Sequence, residues 1–320
     1  MNMIRRAADS DITTIIECIK ECFGADYYHP AAYDRDFLTR SNTDGSYRLY
    51  VCCDDNDPEQ VVGIMGARKS PFFPDSTELS MEAIRPAYRR MGYGERLFRF
   101  VLEQCGGNVY AHAVTHSSII HDQVIKSDVL PTGMWYGRYR SQRSFLPSRK
   151  DRRLHSVIIV KACSPCAVHD IYAPQEHVEF ITRIYESLRV PVTIVPCICT
   201  EISGDEEKIL FSKEDSCCDI YVQQSGKKSI DRIIGIVEEA KIDSVDFNIF
   251  LNMKDRNFGY LYSFFCENGY FFTGIHPLHG SCEYCVLHRK SIIYSESMKL
   301  NKQVEEIFNY IGVGNDKKIN

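Results

Sequence analysis

Ile84-Arg85-Pro86-Ala87-Tyr88-Arg89-Arg90-Met91-Gly92-Tyr93-Gly94 is the stretch on which the reading of this chain turns. A strand-like run, Thr77 to Ile84, stops at Pro86, and a helical run, Glu95 to Cys105, begins just past the glycines. The chain therefore leaves a strand, turns through Arg89-x-x-Gly92-x-Gly94 and enters a helix amino end first. Backbone N–H groups at such a start have no partner inside the helix, and the helix dipole adds positive potential there. Together they make an anion cradle, for which a diphosphate is the natural occupant. Glycine suits the turn because a side chain would hold the backbone off the anion or forbid the required φ. A short glycine pattern alone also fits an ordinary strand–turn–helix junction, so its surroundings must decide.

Outward from the turn, the helix places Leu97, Phe98, Val101, Leu102 and Cys105 on one face and ends at Gly106-Gly107. That face must pack on a sheet, which leaves the glycine-rich start open to solvent and ligand. Upstream, Ile12, Ile15, Ile16, Ile19, Cys22 and Phe23 recur at helical spacing, with Asp9 or Ser10 as the cap and Gly24 as the stop. Strands are expected at Ile4 to Ala7, Arg48 to Cys53, Val61 to Arg68, Val109 to Thr115, Met134 to Tyr139 and His155 to Lys161, with a helix near Ile119 to Lys126.

This order and the string Ile-x-Pro-x-Tyr-Arg-x-x-Gly-x-Gly resemble the GNAT-type N-acetyltransferases over roughly the first half of the chain. The resemblance implies a mixed α/β fold with a mostly antiparallel central sheet flanked by helices. It implies acetyl-CoA as co-substrate, with the diphosphate and pantetheine held by Ile84, Arg89, Arg90, Met91, Gly92, Tyr93 and Gly94. The loop after the first helix would form a wall of the acceptor cleft, which makes Tyr27 and Tyr28 candidate substrate contacts.

Acyl transfer from a thioester to an amine needs a proton acceptor, since a lysine-like amine has a reference pKa of about 10.4. A carboxylate acting directly or through water is worth roughly 10²- to 10⁴-fold. Glu78 is the candidate base, in the strand leading to the turn; alternation sets Glu78, Ser80 and Glu82 opposite Leu79, Met81 and Ala83. Glu82 is the second choice. The family further implies a bulge that splays the fourth and fifth strands and frees a backbone N–H near Ile84 for the oxyanion. Among His112, His116 and His121, His116 falls at the expected cleft edge and is the second catalytic candidate. Three family features are missing. Val124 stands where many relatives carry an acidic tyrosine, the asparagine ending the fifth strand is absent, and the usual Gly-Phe is Asp128-Val129. A thiol of pKa about 8.5 can leave without an acid. The chain thus reads as an acetyl-CoA-dependent N-acetyltransferase for a small-molecule or peptide amine, against the alternative of a non-catalytic acetyl-CoA-binding regulatory module.

At 320 residues, 44% hydrophobic and 25% charged, the chain has room for two cores. The domains are expected at 1–163 and 164–295, with a terminal helix and tail at 296–320. The second would be another α/β unit. Its order, strand Val245 to Leu251, helix Phe258 to Glu267, strands Phe271 to Ile275 and Tyr284 to His288, resembles a degenerate repeat of the first domain's closing half. It lacks the glycine turn and should not bind coenzyme A; it could instead close the cleft or form a homodimer. A net charge of −5, with one short basic run at 148–153, argues against a nucleic-acid partner. There is no signal-peptide core and no span of about 20 apolar residues, so a cytoplasmic protein without a membrane partner is expected. Fourteen cysteines fall largely in core-type elements, where they serve as small hydrophobes. Cys163/Cys166 and Cys282/Cys285 have half-site zinc spacing but lie more than about a hundred residues apart, far beyond ribbon spacing, so no metal is expected.

Overall fold

The computed structural model describes residues 4–25, 27, 29–115, 117–140, 153–163, 167–197, 201–214, 217–242, 246–277, 280, 282–289 and 298–316. By internal contacts these fall into two units, one up to Ala111 and one from His112 onward. That division falls inside a strand, whereas the boundary drawn from the sequence at 163/164 follows the end of a later one.

The first unit runs β1 (Ile4–Arg6), α1 (Ile12–Phe23), α2 (Arg35–Asp44), β2 (Tyr47–Cys53), β3 (Val61–Ser70), β4 (Phe73–Ile84), α3 (Tyr93–Cys105) and the first residues of β5 (Asn108–Val114). Its strands lie in the order β1-β2-β3-β4-β5, antiparallel except for the parallel pair β4/β5. One face carries Tyr47, Leu49, Val51 and Ile64, which pack against Ile12, Ile15, Ile19 and Leu38 of α1 and α2. The buried face of α3 is Tyr93, Leu97, Phe98 and Val101, whereas Leu102 and Cys105, placed on the same face by spacing, are half-buried.

The helical stripe of α1 begins after a short 3-10 turn at Asp9–Asp11. Asp11, rather than Asp9 or Ser10, fixes the entry: its carboxylate accepts the Ala8 N–H at 2.7 Å and pairs with Arg5 at 2.6 Å. Helix α2 has no counterpart in the sequence reading. It carries only Phe37 and Leu38 as large apolar residues, too few for a stripe. Local chemistry forms it instead. Asp34 caps it through the Phe37 N–H, Gly45 stops it in the left-handed region, and buried Asn42 bonds the Ala7 O and the Leu49 N–H, both at 2.9 Å.

Strand β4 holds the feature that shapes the site. Its register against β3 slips between Ile64/Gly66 and Ala83/Ser80, and Met81 sits at φ +55°. This is a bulge, and an extra residue flips the side-chain parity beyond it. The strict alternation expected from sequence therefore ends at Met81. Glu78 and Ser80 share their face with Ala83, the face covered by α1 and α2.

The second unit contains the end of β5, then α4 (Ile119–Ile125), β6 (Leu130–Arg140), β7 (Arg153–Lys161), β8 (His169–Ala173), α5 (Val178–Ser187), β9 (Val192–Pro196), β10 (Lys208–Glu214), β11 (Cys217–Gln224), α6 (Ser229–Ala240), β12 (Asp246–Asn252), α7 (Phe258–Glu267), β13 (Phe271–His276), β14 (Tyr284–Arg289) and α8 (Lys302–Asp316). Its main sheet is ordered β7-β6-β13-β14-β12-β11-β10, and β8 and β9 form a separate parallel pair. The aromatic centre is Trp135 against Phe250 at 5.0 Å, with Phe250 stacked on Tyr221 at 4.5 Å. Strands β8 and β10 were not anticipated; β8 lies in the stretch read as a boundary.

Two stretches of this unit repeat at an offset of 141 residues. Asp128 and Gly269 both take positive φ, +56° and +85°. Asp128 N–H donates to Ile125 O and Val129 N–H to Val124 O, while Gly269 N–H donates to Cys266 O and Tyr270 N–H to Phe265 O. Each stretch continues into Thr-Gly, Thr132-Gly133 and Thr273-Gly274, where each strand's register slips against its hairpin partner. Gly133 and Gly274 face each other in the β6/β13 pair, and a Cβ on Gly133 would stand 2.9 Å from the Gly274 Cα. Side chains are excluded on both sides of that contact. The parallel crossover β11-α6-β12 likewise repeats the pattern of β4-α3-β5.

Candidate functional site

The glycine turn is built as its sequence predicts. After Ile84 a 3-10 turn covers Pro86–Tyr88, Arg90 is left-handed at φ +65°, and Gly92 at φ +83° stands just before α3. The first helical bond is Arg96 N–H to Gly92 O, at 3.1 Å. The amides of Tyr93, Gly94 and Glu95 are those that helix geometry leaves pointing beyond the end. Arg89, Arg90, Met91 and Gly92 are exposed, Met91 at 60%. No heavy atom lies within 4 Å of where a Gly92 Cβ would stand. Tyr93 is buried beneath the turn and its hydroxyl accepts the Asp55 N–H at 3.2 Å. The Arg96 guanidinium lies 4.6 Å from the Tyr93 ring and is held by both oxygens of Asp55 at 2.9 Å. The cradle is therefore open on its ligand side and braced from behind.

Ile84 links the turn to the strand. Its carbonyl accepts Arg89 Nε at 3.0 Å and the Cys22 thiol at 3.3 Å. Arg85 N–H is bonded to Val62 O of β3, so strand alternation aims the Ile84 N–H at the opposite edge of β4. The β4/β5 pairing ends at Leu79↔Ala111, while β4 runs on to Ile84 with no further strand partner on that edge among the described residues. An extended thioester arm can lie along such an edge and take its backbone bonds. The bulge that accompanies this opening lies at Met81, short of the Ile84 position given by the resemblance.

Glu78 lies where β4 and β5 are still paired, opposite Tyr110 on one side and Arg68 on the other. Its side chain is 9% exposed. Arg68 grips both oxygens, Nε to Oε2 at 2.8 Å and Nη2 to Oε1 at 3.1 Å. The Tyr110 hydroxyl donates to Oε2 at 3.3 Å; burial, and then the Glu78 charge, push this phenol well above its ordinary pKa and keep it a donor. Arg68 Nη1 contacts His29 Nε2 at 2.9 Å and its guanidinium lies 6.0 Å from the Tyr47 ring. Gly66 makes room for Tyr47, whose hydroxyl reaches Ser80 Oγ at 2.8 Å. Arg68, Tyr110 and His29 were missed from the sequence. The Arg68↔Glu78 pair could have been found as opposite charges facing each other in the β3–β4 hairpin, once its register was drawn.

Of the other candidates, Tyr27 is 7% exposed, stacks on Phe23 at 4.8 Å and belongs to the α1 core. Tyr28 and His116 lie outside the described residues, as does Cys166. Glu82 is half-buried beyond the bulge. Val124 is fully buried in α4. Among the described residues, no group of three or more His, Cys, Asp or Glu side chains is placed to hold a metal, and no helix is long and apolar enough to cross a membrane.

The turn after β11 contrasts with the one after β4. There Ser225 N–H and Oγ both donate to Asp255 Oδ2, at 2.6 and 2.5 Å. Lys227 N–H donates to Gly204 O, and Gly226 N–H to Ser229 Oγ. A Cβ on Gly226 would stand 2.8 Å from the Glu206 carbonyl oxygen. The backbone amides of the turn leading into this helix are taken up by the chain itself, with Asp255 and Gly204 among the acceptors.

Residues 12–119 match the model of the acetyltransferase (GNAT) family. No curated protein matches the chain. Among solved structures, it is similar to the ribosomal-protein-S18-alanine N-acetyltransferase of Escherichia coli, with 13% identity and a TM-score of 0.41 over 52% of this chain and 97% of that one. An N-acetyltransferase of Staphylococcus aureus Mu50 gives 14% and 0.40 over 50% and 96%. Arabidopsis thaliana NAA60, solved with a bisubstrate analogue, gives 14% and 0.40, again over 50% and 96%. The architecture rests on the strand order and bulge described above. The family match covers residues 12–119, about a third of the chain, and strands β2 to β5 with the bulge at Met81 fall within it.

Proposed function

We propose that the amino-terminal half transfers an acetyl group from acetyl-CoA to the amine of a small molecule or peptide. The observation that carries this reading is the continuous path from the exposed cradle at Arg90 to Gly94, through Ile84, along the edge of β4 to the bulge at Met81. The diphosphate of acetyl-CoA sits on the helix start, and its pantetheine arm lies against the edge. A backbone N–H of this edge, between Ile84 and the bulge, meets the thioester oxygen as the carbonyl turns tetrahedral. The attacking amine gives its proton, through water, to Glu78, and coenzyme A leaves as thiolate. Carrying the adenine and diphosphate on the turn fixes the thioester without any residue of the chain becoming acylated.

The carboxy-terminal elements β10 to β14 are, in the same reading, a second GNAT-like unit that keeps the crossover and hairpin but binds no coenzyme A, because Asp255 and Gly204 take up amides of the turn leading into its helix and the 204–207 segment packs against Gly226. The alternative of an acetyl-CoA-binding module without turnover has one specific support: a carboxylate held at both oxygens by Arg68 is a weak base. The experiment that separates them is thiol release from acetyl-CoA against a panel of primary amines, amino acids and peptides, in the native chain and in Glu78→Gln. The enzyme reading requires release with some acceptor and a loss of about 10²-fold or more in the variant at unchanged acetyl-CoA affinity. Absence of release with every acceptor, despite binding, supports the module.

A further inference from the structure

The Glu78 carboxylate does not stand alone. Arg68 holds both its oxygens and places a third N–H on His29 Nε2 at 2.9 Å. A guanidinium only donates hydrogen bonds, so in this arrangement His29 Nε2 is an acceptor and carries no proton. His29 projects from the loop between α1 and α2, and its ring lies 6.3 Å from Phe37 of α2 and 6.5 Å from Tyr47 of β2. Among the described residues, the ionisable groups near it include Arg68 of β3, Glu78 of β4 behind it, Tyr47 of β2, and Tyr110 of β5 on the far side of the carboxylate. The chain thus runs His29, Arg68, Glu78, Tyr110, with a cation at its centre.

We propose that Arg68 and His29 are positioning residues for the proton-accepting Glu78. Arg68 orients the carboxylate, and neutral His29 anchors Arg68. The proposal rests on the reading of Glu78 given above. Imidazole is the side chain that changes charge between pH 5 and 8. A proton on Nε2 replaces an acceptor by a donor and sets two cations against each other at hydrogen-bond distance. Arg68 must then turn away, and Glu78 loses the contacts that hold its oxygens. Turnover therefore requires His29 neutral, although His29 never touches the acetyl group.

The test uses the full chain. His29→Gln keeps an acceptor oxygen for Arg68 but cannot titrate, His29→Ala removes the acceptor, and Arg68→Met removes the clamp. Thiol release is followed with acetyl-CoA and the best primary amine of the panel, from pH 5 to 8, with acetyl-CoA affinity measured alongside. The native chain should lose about tenfold more of its pH 8 rate by pH 5 than His29→Gln does, since both share the acceptor's own titration. Gln should restore most of what Ala loses at pH 8, and no variant should alter acetyl-CoA affinity. Identical pH profiles in the native chain and His29→Gln overturn the proposal while leaving Glu78 as base intact. A second readout needs no turnover. The His29 ring resonance, followed by NMR, should titrate at higher pH in Arg68→Met, where the neighbouring cation is gone and Glu78 remains. An unmoved titration overturns the proposal even if no acceptor is ever found.

Discussion

Replacing Gly92 by alanine separates strain from ligand contact, because the helix it precedes ends on a matched control. Gly92 at φ +83° and Gly106 at φ +63° flank α3, and neither has a heavy atom within 4 Å of its missing Cβ. Alanine at either position pays only for left-handed backbone, about 1–2 kcal/mol. For a chain of this size that corresponds to a fall of roughly 1.5–3 °C in Tm, similar in both variants. The binding effects should diverge. A methyl on Gly92 stands beside the amides of the cradle, and losing one charge-assisted amide–phosphate bond costs about 1.5–3 kcal/mol. That is roughly a 10- to 100-fold weaker Kd for acetyl-CoA. Gly106→Ala lies at the opposite helix end and should leave Kd within about twofold, below roughly 0.5 kcal/mol. Calorimetric titration with acetyl-CoA, beside thermal melts, reads both quantities. Equal affinities in the two variants would refute the cradle.

Calorimetry of the native chain should also show one acetyl-CoA per chain, because amides of the turn after β11 are already bonded to Asp255 and Gly204; two sites would contradict the account of the second unit. The Asp11 carboxyl is held below its usual range by the Arg5 hydrogen bond, and the Ala8 amide adds to this. A carboxyl lowered in the folded state contributes stability above its unfolded value of about 3.9 and loses it as pH falls through the folded value. Asp11→Asn should therefore be less stable than the native chain at pH 7 and lose less Tm on acidification; parallel melting curves across pH would count against this. Leu38→Ala, which empties a fully buried position of α2, should cost about 2–5 kcal/mol in chemical unfolding, and a neutral result would mean that α2 is not part of the first core.

What the sequence made legible was whatever announces itself locally. The stripe of α1 and α3, the strand stop at Pro86 and the glycine turn depend on residues a few positions apart, and all appear where their spacing puts them. Helix α2 escaped because its stability comes from Asp34, Asn42 and Gly45 rather than from an apolar face. The bulge at Met81 escaped because no residue type marks it, and it turned the reading of which face β4 presents beyond Ser80. Glu78 is singled out by its place before the turn. Its partners His29, Arg68 and Tyr110 lie on three other segments, and only the pairing of β3, β4 and β5 brings them within reach.

The central claim is that this chain moves an acetyl group, and the most direct measurement follows both products at once: free thiol from acetyl-CoA, and acetylated amine by mass spectrometry, with the intact native chain. The account predicts thiol and acetylated acceptor in equal amounts, with both signals lost together in Gly92→Ala at limiting acetyl-CoA and in Glu78→Gln at saturation. Tight acetyl-CoA binding with no acetylated amine from any acceptor class would contradict it.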